Sequence, residues 1–178
     1  KRGLRLHGGV RLMMNVRTYQ LQELRVLRGE TENRIEGYAA VYEQWSENLG
    51  GFVERVRSGA FDSILATKPD TRALQNHNPN YVLGRTMSGT LRMAADTGGL
   101  QVEIIPPRTS YAADLLVVME RGDVDQMSFA FREEEDEWRL RDDGIIERDL
   151  LSFRDLGDVS VVTYPAYPLT VAQLRTLS

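Results

Sequence analysis

Gln126-Met127-Ser128-Phe129-Ala130-Phe131-Arg132 is the stretch on which the reading of the fold turns. A short apolar run bounded by polar residues is a strand that packs into a core. This one carries a hydroxyl, Ser128, at an otherwise apolar position. Downstream, residues 145–151 and 158–163 read as two further strands. The acidic run Glu133-Glu134-Glu135-Asp136-Glu137, between the Ser128 strand and the strand over 145–151, reads as a solvated hairpin tip rather than a cation site. Upstream, Thr109 or Ser110 can cap a helix over about 111–121. Its apolar positions Ala112, Leu115, Leu116 and Met119 follow the three-four spacing of one helical face, and Gly122 ends it.

Further towards the N-terminus, Asp96-Thr97-Gly98-Gly99 joins strands over 90–95 and 100–105 as a hairpin. Residues 52–56 form a short strand, and Ser58 is the expected N-cap of a short helix through Ala66. Residues 43–51, with Asn48, Gly50 and Gly51, read as a loop, and 19–27 and 34–42 as strands. Many short strands with two or three inserted helices predict an α+β, mainly β fold: a mixed, mostly antiparallel sheet closing into a barrel or sandwich. One domain is expected over 19–172, after a flexible extension at 1–18 and before a tail at 173–178. The chain starts with Lys1 and has Met13 and Met14 as natural start candidates, and its end at Ser178 reads as a cut in a longer product.

At 178 residues, with 42% hydrophobic and 27% charged residues, the composition is that of a soluble globular domain. A single domain of this size buries roughly two-thirds of its unfolded surface. The net charge of −4 argues against a general nucleic-acid partner. No apolar run approaches the roughly 20 residues of a membrane span, so no membrane partner is expected. The absence of Cys excludes disulfides, thiolate zinc sites and Cys nucleophiles. No cluster has metal-like spacing and Gly98-Gly99 is no phosphate loop, so neither metal nor cofactor is expected. Trp45 and Trp138 are too sparse for a base-stacking platform.

The chain has two His, and His7 lies in a basic, peripheral N-terminal stretch. His77, in Leu74-Gln75-Asn76-His77-Asn78-Pro79, is therefore almost the only side chain whose ordinary pKa suits acid–base work near neutral pH. A serine hydroxyl needs a neighbouring base, and the base needs a third group to fix its tautomer. Ser128 and His77 fit the first two roles; Asp155 and Asp158 are candidates for the third. A regular strand puts those two carboxylates on opposite faces, and a bulge at Gly157 would remove that distinction. The residues alone also allow a loop His that caps and a strand Ser whose hydroxyl is merely satisfied. No Gly-x-Ser-x-Gly elbow is present.

Around these residues the chain resembles the prohead maturation proteases of tailed phages, relatives of the herpesvirus capsid protease assemblin. The resemblance runs from about Arg34 to Ala172 through elements in the family's order. They are Ile35-Glu36-Gly37-Tyr38-Ala39, then Gly59-Ala60-Phe61, then His77 with Leu83-Gly84-Arg85. Gly99-Leu100, Ser128-Phe129-Ala130-Phe131, Asp158-Val159-Ser160-Val161-Val162 and Pro165-Ala166-Tyr167 follow. It implies a small β-barrel surrounded by a few helices, with Ser128 as nucleophile and His77 as general base. Asp158 stands where the family usually has Glu, one methylene longer, and is the first choice for the third role; Asp155 is the second. Ala130 replaces the commoner Gly. Oxyanion donors are sought at Arg154 and the backbone of 156–160.

The implied function is serine endopeptidase cleavage of capsid scaffold, or of the major capsid protein precursor, and of the protease itself. It would act inside the assembling procapsid in the host cytoplasm, and relatives can act as homodimers. Two other functions fit the residues: a non-catalytic capsid-assembly or scaffold module of the same fold, and a β-rich hydrolase of esters or small amides.

Overall fold

The computed structural model describes residues 14–19, 24–29 and 32–164. The strands are β1 (Asn15–Tyr19), β2 (Arg25–Leu27), β3 (Arg34–Val41), β4 (Phe52–Val56), β5 (Arg72–Gln75), β6 (Asn78–Arg85), β7 (Leu91–Ala95), β8 (Gly99–Ile104), β9 (Gln126–Leu140) and β10 (Ile146–Val162). Among the described residues two α-helices interrupt them, α1 (Asp62–Ala66) and α2 (Ser110–Glu120). One sheet runs β1-β9-β10-β5-β6 with β4 also on β10, and the other runs β2-β3-β8-β7. Among the strand pairings of the described residues only those of β4 and β5 with β10 are parallel, with one further parallel bridge from Tyr42 to Val56. The fold is thus α+β and mainly β, a curled half-barrel of mostly antiparallel strands.

β9 and β10 dominate because their apolar side chains alternate inward. Met127, Phe129 and Phe131 are fully buried on β9, and Leu156, Val159 and Val161 are buried on β10. Phe61, Phe129, Phe131 and Phe153 form one aromatic cluster, with Phe61 stacked on Phe153 at 4.7 Å and Phe129 on Phe131 at 4.9 Å. Burying each of these rings contributes about 1.5–3 kcal/mol, so the cluster ties the β9–β10 pair to the segment carrying α1. α2 buries Ala112, Leu115, Leu116 and Met119, as the spacing predicts. At the β7–β8 hairpin Gly99 has φ 153°, and a Cβ there would strike the Ala40 backbone. Glycine is required there because β8 lies against β3.

Four local expectations are corrected. The stretch read as one strand over 19–27 holds the end of β1 and all of β2, with 20–23 outside the described residues. Ser58 does not cap α1: that helix starts at Asp62 after a turn at Gly59, whose φ is 84°. The Ser58 amide and hydroxyl instead donate to Glu43 Oε1 at 2.9 and 3.3 Å. That amide bond, with Arg57 and Arg55 nearby, outweighs burial and holds the Glu43 carboxyl below its ordinary pKa.

The acidic run is no hairpin tip. Residues 133–137 lie within β9, and the reversal falls at Arg141–Gly144, where Gly144 N donates to Arg141 O at 3.0 Å. Charged residues are tolerated in mid-strand because opposite charges meet them from β10. Arg148 binds Asp136 at 2.6 Å and Glu133 at 3.0 Å. Finally, residues 145–151 and 158–163 are not separate strands. They belong to one strand, β10, that absorbs register shifts at Ser152, Phe153 and between Leu156 and Asp158.

β1 begins at Asn15, inside the segment expected to precede the domain. Residues 1–13 of that segment, the tail at 173–178 and Pro165-Ala166-Tyr167 lie outside the described residues. Among the described residues no helix is long and apolar enough to cross a membrane, and no His/Cys/Asp/Glu group could hold a metal ion.

Candidate active site

Ser128 sits in the fully inward half of β9, opposite Ser160 on β10 and opposite Thr18 on β1. Its neighbours Met127 and Phe129 point to the core, so Ser128 projects from the other face. Ala130 pairs with Asp158 one step along the same ladder, which places Ser128, Ala130, Asp158 and Ser160 on one face.

His77 reaches that face from a turn that sequence reading left as an unspecified loop. Gln75 pairs with Asn78, so Asn76 and His77 are the whole connection between β5 and β6. Both have positive φ, 52° and 54°, as a primed two-residue hairpin turn requires. Asn is the usual occupant of such positions and His is tolerated there. Asn76 ties the turn to the end of β10: its amide donates to Val161 O at 2.9 Å, and its Oδ1 accepts from Thr163 N at 2.9 Å. Because β5 runs beside β10, the imidazole crosses β10 to reach β9.

There His77 Nε2 lies 2.8 Å from Ser128 Oγ, and Nδ1 lies 2.6 Å from Asp158 Oδ1. Three residues distant in sequence therefore form one relay. The bond to a carboxylate, an acceptor, fixes the tautomer with hydrogen on Nδ1 and leaves Nε2 as a base facing the hydroxyl. His77 is 23% exposed and Asp158 15%, whereas Ser128 is fully buried. Ser128 Oγ also donates to the carbonyl of Arg17 on β1 at 2.8 Å. A hydroxyl has one proton, so Arg17 O and His77 Nε2 compete for it.

Asp155 stays outside the relay. The register shift between Leu156 and Asp158 puts Asp155, opposite Arg132, on the same face as Asp158, so the opposite-face argument does not hold. It lies further along the ladder, 3.7 Å from Arg132 Nη1. Arg154 is exposed, and residues 158–161 pair with β9 on one side and β5 on the other. Their amides are committed to ladders, which disfavours them as oxyanion donors. Ala130, 3% exposed, pairs with Asp158 at the register shift that leaves Gly157 without a partner on β9. A separate cleft lined by Glu32, Asn33, Pro106, Pro107, Arg108 and Leu116 contains none of these side chains.

Two groups escaped sequence reading as contributors: the Arg17 carbonyl, a main-chain atom with no residue signature, and Ser160, quoted only as part of a motif. Asn76 carried a readable signal, since Asn before a polar residue between two strands suits a left-handed turn.

Comparison with known proteins places the chain in a family. Residues 19–178 match the profile of the caudovirus prohead serine proteases. The prohead protease of Enterobacteria phage HK97 is 30% identical over 135 residues, covering 74% of this chain. This chain spans 55% of that relative's length. The solved structure of the bacteriophage T4 capsid assembly protease has the same fold, with a TM-score of 0.54 at 12% identity over 84% of this chain and 97% of that one. The profile covers nearly the whole chain through both sides of the Ser128–His77–Asp158 relay, and the chain belongs to the caudovirus prohead serine protease family.

Proposed function

We propose that this chain is a serine endopeptidase of prohead maturation in which Ser128 is the nucleophile, His77 the general base and Asp158 the group that orients it. The observation that carries this reading is the relay itself, 2.8 Å from Ser128 Oγ to His77 Nε2 and 2.6 Å from Nδ1 to Asp158. Asp158 reaches His77 despite being one methylene shorter than Glu because its strand lies directly beneath the imidazole.

The reaction follows from the bonding. The Ser128 hydroxyl turns from Arg17 O to His77 Nε2, which takes its proton as Oγ attacks the peptide carbonyl. The imidazolium so formed is stabilised by Asp158 and then returns the proton to the leaving amine. Water, deprotonated in turn by His77, releases the acyl group from Ser128. The substrates are capsid scaffold or the major capsid protein precursor, and the chain itself, inside the assembling procapsid.

The complete burial of Ser128 and its bond to Arg17 O favour one rival, a non-catalytic assembly module of the same fold. Co-expression with the phage's own capsid precursor separates the two. Ser128→Ala is expected to lower the cleavage rate by about 10⁴-fold or more while its melting temperature stays near that of wild type. Unchanged cleavage by the purified variant would remove Ser128 from the nucleophile's role, and an inactive wild type would favour the assembly module.

A further inference from the structure

We infer that Ser160 is a positioning residue of this site, holding both Asp158 and the turn that carries His77 in register; the inference rests on the proposed relay. Ser160 is fully buried, directly opposite Ser128 in the β9–β10 ladder. Its Oγ donates to Asp158 Oδ1 at 2.6 Å and accepts from the His77 amide at 3.2 Å. The direction is forced: an amide can only donate, so the Ser160 oxygen accepts there and its proton goes to the carboxylate.

The result is a closed ring of hydrogen bonds. The His77 amide donates to Ser160, Ser160 donates to Asp158 Oδ1, and the same Oδ1 accepts from His77 Nδ1. One hydroxyl thus fixes the carboxylate by a second donor on the oxygen that orients the imidazole. It also anchors the main chain of a His held at φ 54°, a conformation that costs energy unless its surroundings impose it. Asn76 secures the other half of the turn through Val161 O and Thr163. The hydrogen bonds of the Ser160 hydroxyl run to Asp158 and to the His77 main chain, so its effect on Ser128 passes through those two residues.

A local sequence reason supports this division of labour. Asp158 and Ser160 are two residues apart on one strand and share a face, so the hydroxyl is delivered to the carboxylate by the strand period alone. A shorter acid at 158 has little slack, and a fixed second donor holds it at the distance His77 needs.

The test measures single-turnover cleavage of purified capsid precursor over a range of enzyme concentrations. Ser160→Ala is expected to lower the rate at saturating enzyme about 10- to 100-fold, the range of one hydrogen bond to a charged group. The enzyme concentration at half-saturation should move less than about twofold. In an Asp158→Asn background the same change should cost several-fold less than in wild type, because the carboxylate arm is already disabled and only the hold on the His77 main chain remains to be lost. Ser160→Thr, which keeps the hydroxyl, should recover most of the rate. Proton NMR of wild type should show a low-field His77 Nδ1–H resonance that shifts or broadens in Ser160→Ala.

Should Ser160→Ala not fold, Ser160→Cys, with a weak donor of similar shape, carries the same test. A wild-type rate in the folded variant, or an equal loss in both backgrounds, overturns the positioning role. Ser128→Ala separates the two levels. If it still cleaves, the relay itself fails; if it is dead while Ser160→Ala cleaves as wild type, only the role of Ser160 fails.

Discussion

The β9–β10 pair contains two buried polar clusters that differ in kind. Near residues 128–130 and 158–160, a single carboxylate, an imidazole and two hydroxyls share hydrogen bonds, with Arg17 O and His77 both claiming the proton of Ser128. Near residues 133–139 and 147–149 every buried charge has more than one opposite charge. Arg148 meets Glu54, Glu133 and Asp136, and Asp149 meets Arg55, Arg57 and Arg139. Both clusters are deep, so depth does not distinguish them. The count of protons against acceptors does: the second cluster is saturated and can only be held, whereas the first has one proton with two destinations.

Arg17 joins the two. Its side chain reaches Glu54, and its carbonyl takes the Ser128 hydroxyl. β1 therefore links an ion-pair network to the nucleophile through a single residue.

This contrast predicts opposite losses. In the relay, activity should fall while stability stays. Asp158→Asn is expected to lower cleavage about 10⁴-fold, as loss of the tautomer-fixing group does, with Asp155→Asn within a few-fold of wild type. Rates of both variants on capsid precursor check this, and the reverse order would move the third role to Asp155.

In the ion-pair cluster, stability should fall while the folded fraction still cleaves. Glu54 is fully buried between Arg17 and Arg148. Glu54→Gln leaves a buried cation short of its partner and should cost about 3–5 kcal/mol, read as a lower midpoint in denaturant titration. A midpoint equal to that of wild type would show that the network is less tightly coupled than its geometry indicates.

The smallest expected effect is a pH dependence. Burial pushes the Asp149 carboxyl up, but hydrogen bonding to Arg55 and the charges of Arg55, Arg57 and Arg139 outweigh it and hold the pKa below the ordinary carboxylate value. A depressed folded-state pKa stabilises the fold fully above the unfolded value, near 4. That contribution is lost as pH falls through the depressed value. Asp149→Asn should therefore flatten the acid limb of a stability–pH curve, and an unchanged limb would assign it to other carboxylates.

The same contrast explains what could be read from sequence. His77 and Ser128 stood out because so few residues could do their chemistry, and the ordered motifs around them ranked Asp158 ahead of Asp155 without deciding between them. The β7–β8 hairpin and α2 were legible because Asp-Thr-Gly-Gly and the three-four spacing are local signals. The acidic half of β9 was misread because its countercharges arrive from Arg148, in a strand more than ten residues away. β10 was divided in two because its bulges interrupt the apolar pattern without interrupting the ladder. The His77 turn lacked the glycine that usually marks a primed hairpin. Gly157 left two faces open for Asp155 and Asp158, and only the register between β9 and β10 resolves them.

The most direct test of the central claim is covalent trapping of the nucleophile. A wild-type preparation that cleaves capsid precursor is treated with a fluorophosphonate and mapped by peptide mass spectrometry. The expected result is loss of cleavage in step with one phosphonyl adduct on Ser128, and no adduct in His77→Ala. A cleaving preparation inactivated with the adduct elsewhere, or one labelled equally at Ser128 without His77, would contradict it.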